Sequence, residues 1–297
     1  MTCYAVLLAE SLEQPALIAA ERAIDLAGGE IAALRTLSDS PAALEMRIEG
    51  MDAADARREL RTVLDGVDVC VEATTDGQRP ARRLLLMDVD STLVAGEVID
   101  SLAAHVGKGE QVAAVTERAM RGELDFRESL HERVATLAGL PTAVLDEVRA
   151  SLRLSDGART LIATLQDRGA LIGAVSGGFT QILDPLADDI GLDFAAANTL
   201  EVRDGHLTGR VTGRIVDRAE KARNLRVLAE RNGIVVPETV AIGDGANDLD
   251  MIAAAGIGIA FNAKPIVQLE APATLNTPRL SDALLLLGIQ RDEFLSE

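Results

Sequence analysis

From residue 84 onward, short apolar runs alternate with helical patterns, and this alternation constrains the fold more than any other feature. "LLLMDVD" (84–90) reads as a buried strand, followed by a largely helical stretch from Glu97 to about Leu152. "SDGARTLIATLQDRG" (155–169) is a capped helix ending in Gly, and it leads into the strand "ALIGAVSGG" (170–178). "EVRDGHLTGRVTG" (201–213) has the turn residues of a hairpin at Asp204-Gly205. "DRAEKARNLRVLAERNG" (217–233) opens with a D-x-x-E capping box and closes on Asn-Gly. "ETVAIGDGANDLDM" (238–251) is a strand then a loop, and "GIGIAF" (256–261) is a short final strand. Strands alternating with helices predict an α/β fold with a Rossmann-like parallel sheet. Ligands of such sheets bind at the carboxyl ends of the strands.

The first 73 residues carry a different order. Strand patterns at 4–9, 30–38, 42–50 and 67–73 enclose helical patterns at 17–29 and 53–66. That is β-α-β-β-α-β, the split arrangement of ferredoxin-like α+β modules, and also the element order of the small ACT-type ligand-binding domains. No ligand motif stands out in it. The polar segment "TTDGQRPARR" (74–83) reads as a linker. The expected organisation is therefore 1–73, a linker at 74–83, and 84–297 with a helical cap at about 95–152.

Composition excludes several function classes. With 48% hydrophobic and 26% charged residues, the 297-residue chain can bury a real core. A net charge of −18 with no basic stripe argues against nucleic acid and anionic membranes as partners. It also means that an anionic ligand needs a locally built positive site. No apolar run is long enough to span a bilayer, and the N-terminus lacks a secretory pattern, so a cytoplasmic location is expected. Cys3 and Cys70 are too few for a disulfide framework or zinc site and read as buried thiols. His105, His131 and His206 lack an evident partner and read as structural or surface residues. An exposed sheet edge in the N-terminal unit would permit a homodimer.

Three strand ends carry unusual polar residues: Asp88-Val-Asp90-Ser-Thr92, Val175-Ser176-Gly177-Gly178, and Gly243-Asp244-Gly245-Ala246-Asn247-Asp248. Sheet topology would bring them to one edge, with Lys221 available from the helix before the third strand. Two aspartates two apart on an extended strand point to the same side, so their carboxylates can face one atom. Their repulsion demands a cation. Together these motifs resemble those of the haloacid dehalogenase (HAD) superfamily of phosphatases, over roughly residues 82–290. The longer stretches "DVDSTLVAGEVID", "RGELDFRESLHERV", "VSGGFT" and "GDGANDLDMI" resemble the phosphoserine phosphatases within it.

The resemblance implies a small-molecule substrate, O-phosphoserine, hydrolysed with Mg²⁺ as cofactor. It implies Asp88 as nucleophile and Asp90 as general acid and base. Metal ligands would be the Asp88 and Asp244 carboxylates and the Asp90 carbonyl, with Asp248 in an outer position. Ser176, the Gly177 amide, Lys221 and Asn247 would hold the phosphoryl group. Glu97 and Arg133 match the positions that receive the amino acid's ammonium and carboxylate, and Phe126 would form pocket wall. Arg133 also stands out from its spacing, inside the apolar stripe of Phe126, Leu130 and Leu137, whereas Arg127 lies to the side. Two alternatives stay open: another small-metabolite phosphatase or phosphotransferase of the superfamily, and an amino-acid sensor acting through residues 1–73.

Overall fold

The computed structural model describes residues 1–75, 77–120 and 123–295. The N-terminal elements are β1 (Thr2–Ala9), α1 (Gln14–Leu26), β2 (Glu30–Asp39), β3 (Ala42–Glu49), α2 (Ala53–Val63) and β4 (Asp68–Ala73). They form an antiparallel sheet in the order β2-β3-β1-β4. α2 starts where the Asp52 carboxylate accepts the Asp55 amide at 2.8 Å, satisfying one of the unpaired donors of the first turn.

The second sheet comprises β5 (Leu84–Met87), β6 (Leu171–Phe179), β7 (Phe194–Arg203), β8 (His206–Thr212), β9 (Thr239–Gly243), β10 (Ile257–Phe261) and β11 (Ala273–Leu275). Its order is β11-β10-β9-β5-β6-β7-β8, parallel except for β8, which returns antiparallel to β7. Helices α3 (Val98–His105), α4 (Gly109–Met120), α5 (Phe126–Ala135) and α6 (Ala143–Ser151) are inserted between β5 and β6 as a cap. The remaining helices are α7 (Ala158–Asp167), α8 (Thr180–Ile190), α9 (Arg218–Arg231), α10 (Leu249–Ala254), α11 (Pro265–Glu270) and α12 (Ala283–Leu286). No helix among the described residues is long and apolar enough to cross a membrane.

Strand β5 sits at the centre and is buried throughout. Its alternate residues serve opposite helix layers: Leu85 and Met87 join the cluster containing Leu161 and Ile182, while Leu84 and Leu86 pack with Leu225 and Met251. A strand covered on both faces must be apolar at every position, which is why the run before Asp88 is continuous. Each such fully buried side chain contributes about 1.5–3 kcal/mol.

The N-terminal sheet shows the same period of two. Cys3, Ala5 and Leu7 face α1 and α2, whereas Val6, Leu8 and Cys70 share a core with Leu284–Leu287 around α12. The segment at 74–83 is pinned: Arg79 pairs with Glu45 and Glu72, at 3.2 and 2.9 Å, and Arg82 pairs with Glu72. Gly288, at φ +80°, faces Arg79 so closely that a Cβ would lie 1.8 Å from the guanidinium. Both cysteines are buried and free, and burial pushes each thiol up to about 11.

Several elements have no counterpart in the sequence patterns, among them the first half of β7, α8 and β11. β7 begins at Phe194, well before the hairpin, because the alanine-rich half "FAAA" has little intrinsic strand preference and is ordered by pairing with β6. α8 contains Pro185, which disguises its helical pattern. β11 is three residues long and exists through its pairing with β10. His105 also has a partner the sequence did not reveal, Glu147 Oε2 at 2.7 Å across the cap.

Candidate active site

Asp88 is the first residue past β5, and its amide still pairs with the Ile242 carbonyl of β9 at 2.9 Å. The carboxylate therefore emerges from the middle of the sheet at the carboxyl edge. Its Oδ1 accepts from the Val89 amide at 2.7 Å and pairs with Lys221 Nζ at 2.6 Å. Asp90 is held at both oxygens: Oδ1 accepts from the Val98 amide at 2.7 Å, and Oδ2 from Ser176 Oγ at 3.1 Å. The turn between Asp90 and the cap is tight. Ser91 adopts φ 56°, and its amide bonds to the Gly96 carbonyl at 3.0 Å. A non-glycine residue in the left-handed region is strained, and here it sits beside the two carboxylates.

The second strand end is irregular. β6 pairs regularly with β7 through Val175, then slips before Phe179. That slip frees residues 176–178 from the ladder. Ser176 Oγ accepts from the Gly178 amide at 2.7 Å while donating to Asp90. Both glycines stand at close approaches: a Cβ on Gly177 would lie 3.1 Å from Phe126 Cζ. One on Gly178 would lie 2.9 Å from Ser176 Oγ. Asn198, which the sequence reading missed, is fully buried and donates to the Gly177 carbonyl at 2.8 Å. Its Oδ1 accepts the Val216 amide at 2.9 Å, just ahead of α9. A buried amide bridging two site loops is visible only once β7 is known to be a strand.

Helix α9 brings Lys221. It starts at Asp217, whose carboxylate accepts the Glu220 amide at 3.0 Å and also binds Arg127 of the cap at 2.7 Å. Lys221 is 1% exposed and lies between Asp88 Oδ1, at 2.6 Å, and Asp248 Oδ1, at 2.7 Å. Burial opposes its charge, but the carboxylates of Asp248 and Asp88 more than offset this and raise its pKa. At the third strand end, Asp248 folds back so that its Oδ2 accepts the Gly245 amide at 3.0 Å. A Cβ at Gly243 would fall 2.4 Å from Asp248 Cγ, which explains the glycine there. Thr92 Oγ1 donates to Asp244 Oδ1 at 3.2 Å.

Carboxylate oxygens of Asp88, Asp244 and Asp248 lie within 4.8 Å of one another. Lys221 is ion-paired with Asp88 and Asp248, and the surplus negative charge appears in the acidity of Asp88 and Asp244. Burial, then the charge of Asp248, raises Asp88 well above the ordinary carboxylate range. The same two causes push Asp244 up to about 6. Burial also raises Asp90, against the hydrogen bonds from Val98 and Ser176. A hard, oxygen-only donor set with surplus negative charge fits a divalent cation, so the residues present fit a metal site.

The cap closes over this edge and encloses a cavity of about 600 Å³. Asp88, Asp90, Gly177, Asp244 and Asn247 line it from the sheet; Glu97, Phe126 and Arg133 line it from the cap. Ser176, Lys221 and Asp248 are buried away from solvent and reach the site through the contacts above. Glu97 occupies the N-cap position of α3 without capping it, and its side chain faces the cavity. Burial, with Asp90 and Asp244 nearby, pushes it up to about 7. Arg133 is pulled down by burial, though Glu97 and Asp100 support its charge, and its Nε donates to the Ser129 carbonyl at 3.3 Å. Arg127 points elsewhere, to Asp217. Lys264 and Ile266, at the end of β10 and the start of α11, also line the cavity and went unnoticed in the sequence.

The family model for haloacid dehalogenase-like hydrolases matches residues 85–253. The phosphoserine phosphatase of Streptomyces coelicolor is 56% identical over 253 residues, 84% of this chain and 62% of that protein. The chain thus spans less than two thirds of that relative's length. The crystal structure of a probable phosphoserine phosphatase from Vibrio cholerae is similar across 96% of this chain and 86% of that one. Its TM-score is 0.73 and its identity 33%. A structure described as a phospho-aspartyl intermediate analogue of phosphoserine phosphatase matches 69% of this chain and 98% of its own, at 40% identity and TM-score 0.65. On the family model and these likenesses, the chain belongs to the haloacid dehalogenase-like hydrolase family.

Proposed function

We propose that the chain is a Mg²⁺-dependent phosphoserine phosphatase, releasing L-serine and phosphate through an aspartyl phosphate. One observation carries this reading. A single cavity joins a carboxylate pair suited to phosphoryl transfer, Asp88 and Asp90, to an oppositely charged pair on the cap, Glu97 and Arg133. A free amino acid bears both an ammonium and a carboxylate, so its recognition needs one anion and one cation.

In the first half-reaction an Asp88 oxygen attacks phosphorus and the bond from phosphorus to the serine oxygen breaks. Asp90 gives its proton to the departing oxygen. Burial favours the protonated form of Asp90, as an acid working near neutral pH requires. In the second half-reaction Asp90, now ionised, takes a proton from the water that attacks the aspartyl phosphate, which frees Asp88 and phosphate. Splitting one slow hydrolysis into two displacements is the benefit of the covalent route. Lys221 holds Asp88 in place and neutralises charge, while the Ser176 hydroxyl, on turning from Asp90, and the Gly177 amide would donate toward phosphoryl oxygens. The Asp88 and Asp244 carboxylates and the Asp90 carbonyl, with Asp248 behind, would hold Mg²⁺, which would supply Lewis-acid neutralisation of the phosphoryl charge. Asn247 contacts the phosphate or its water. Phe126 fixes the pocket wall against Gly177.

The same reading takes residues 1–73 as an ACT-like unit, 74–83 as its connection and 84–297 as the phosphatase. β2 is the open sheet edge at which a second copy would pair, and light scattering on the full chain tests that. The function is tested by phosphate release from a panel of phosphometabolites with and without Mg²⁺. Phosphoserine should lead the panel and turnover should require the metal. Preferential hydrolysis of another phosphomonoester, or transfer to an acceptor alcohol, refutes the assignment.

A further inference from the structure

Lys108, Lys221 and Lys264 are the chain's three lysines among 29 basic residues; arginine fills every other basic position. Lys108 braces the cap by donating to the Thr136 carbonyl, and Lys221 lies beneath the catalytic carboxylates. Lys264 is exposed and lines the same cavity. Among the described residues its ammonium has no hydrogen-bond or ion-pair partner, although acidic groups outnumber basic ones along the cavity wall.

Its backbone, by contrast, is fixed. Strand β10 ends at Phe261, and Asn262 turns the chain at φ 44°, with its amide bonded to the Leu275 carbonyl at 2.9 Å. Ala263 is buried, and the Lys264 carbonyl accepts the amides of Val267 and Gln268 at 2.9 and 3.1 Å. Lys264 stands at the N-cap position of α11, where Ser, Thr, Asp or Asn is preferred and a cation opposes the helix dipole. Local helix chemistry therefore does not account for the residue. A compact, strongly hydrated ammonium on a flexible stem, carried at a rigid point of the cavity wall, suits transient contact better than a planar guanidinium built for bidentate locking.

A dianionic substrate approaching a chain of net charge −18 meets long-range repulsion. Among the described residues, the basic side chain lining the cavity besides Lys264 is Arg133, which is part-buried and bonded to Ser129. We propose that Lys264 is the capture cation of the site: it draws phosphomonoesters into the cavity by their net charge and acts before the cap's amino-acid contacts form. This rests on the phosphatase reading above and adds an entry step to it.

The test measures kcat/KM of the full-length enzyme and of Lys264→Ala, Lys264→Arg and Lys264→Glu, at fixed Mg²⁺ over a range of salt. Phosphoserine and an aryl phosphate of equal net charge serve as substrates. Near 0.01 M salt, where the Debye length is about 30 Å, Lys264→Ala should lower kcat/KM roughly three- to tenfold for both substrates, and Lys264→Glu further. At about 1 M, where that length is about 3 Å, the variants should converge on wild type. Lys264→Arg should restore the salt slope. A Lys264→Ala slope parallel to wild type overturns the proposal. So does a loss confined to phosphoserine, which would mark a direct contact with the amino acid, or failure of arginine to rescue. If wild type turns over the aryl phosphate but not phosphoserine, the substrate reading falls, while the aryl phosphate slopes still judge Lys264.

Discussion

Replacing Lys221 with Met removes a positive charge from among buried carboxylates and little volume. Its Nζ is 2.6 Å from Asp88 and 2.7 Å from Asp248, and all three groups are nearly inaccessible to water. Breaking a buried ion pair by deleting one partner costs about 3–5 kcal/mol, because the other charge stays desolvated. At 2–4 °C per kcal/mol, that is a loss of roughly 6–20 °C in Tm for metal-free protein near pH 7.5. The loss should shrink at low pH. Asp88 has a folded pKa raised above its unfolded value by burial and Asp248, and Lys221 works to lower it. A group raised in the fold contributes stability below its unfolded pKa and loses it as pH rises through the folded pKa. Removing Lys221 raises the folded pKa further, so the variant's deficit should be small at about pH 5 and large at about pH 7.5. Calorimetry in EDTA is the suitable assay, since the chain has no Trp and one Tyr to report by fluorescence. A variant within about 3 °C of wild type at the higher pH, or hurt more at the lower pH, would refute the reasoning.

Asp88→Asn should abolish phosphoserine hydrolysis while calorimetry still shows a folded protein; retained turnover would sink the covalent route. Arg133→Ala should raise KM for phosphoserine by about 10- to 100-fold, the cost of a lost charged hydrogen bond, and hardly alter KM for an aryl phosphate. Equal losses on both substrates would remove Arg133 from substrate recognition. On the proposed reading Glu97 must be ionised to receive the ammonium, and it sits at about 7, so kcat/KM for phosphoserine should climb about tenfold from pH 6 to pH 8 through this group. In Glu97→Gln that limb should vanish, leaving a lower and flatter profile; an unchanged limb assigns the titration elsewhere.

The parallel α/β sheet was legible in the sequence because strands buried on both faces must be apolar at every position. Leu84–Met87 and Ile257–Phe261 meet that condition without reference to their neighbours. The hairpin turn at Asp204-Gly205 was legible for a similar local reason, both residues having positive φ. β7 and β11 were not, since their backbones are ordered by partners distant in sequence and their residues carry weak propensities of their own. The docking of the N-terminal sheet on Leu284–Leu287, and the pinning of Arg79, also lay beyond any local pattern.

At the site, sequence alone determined which residue types stand at three strand ends, and strand period placed Asp88 and Asp90 on one side. Tertiary structure decided their inequality. Asp88 shares Lys221 with Asp248, whereas Asp90 is held by Val98 and Ser176. It also decided that Asn198 ties the Gly177 loop to the entry of α9, and that Lys264 lines the same cavity as Arg133. Propensity and periodicity act over a few residues. The balance of buried charge depends on distances among groups up to 160 positions apart, and only the folded chain sets those.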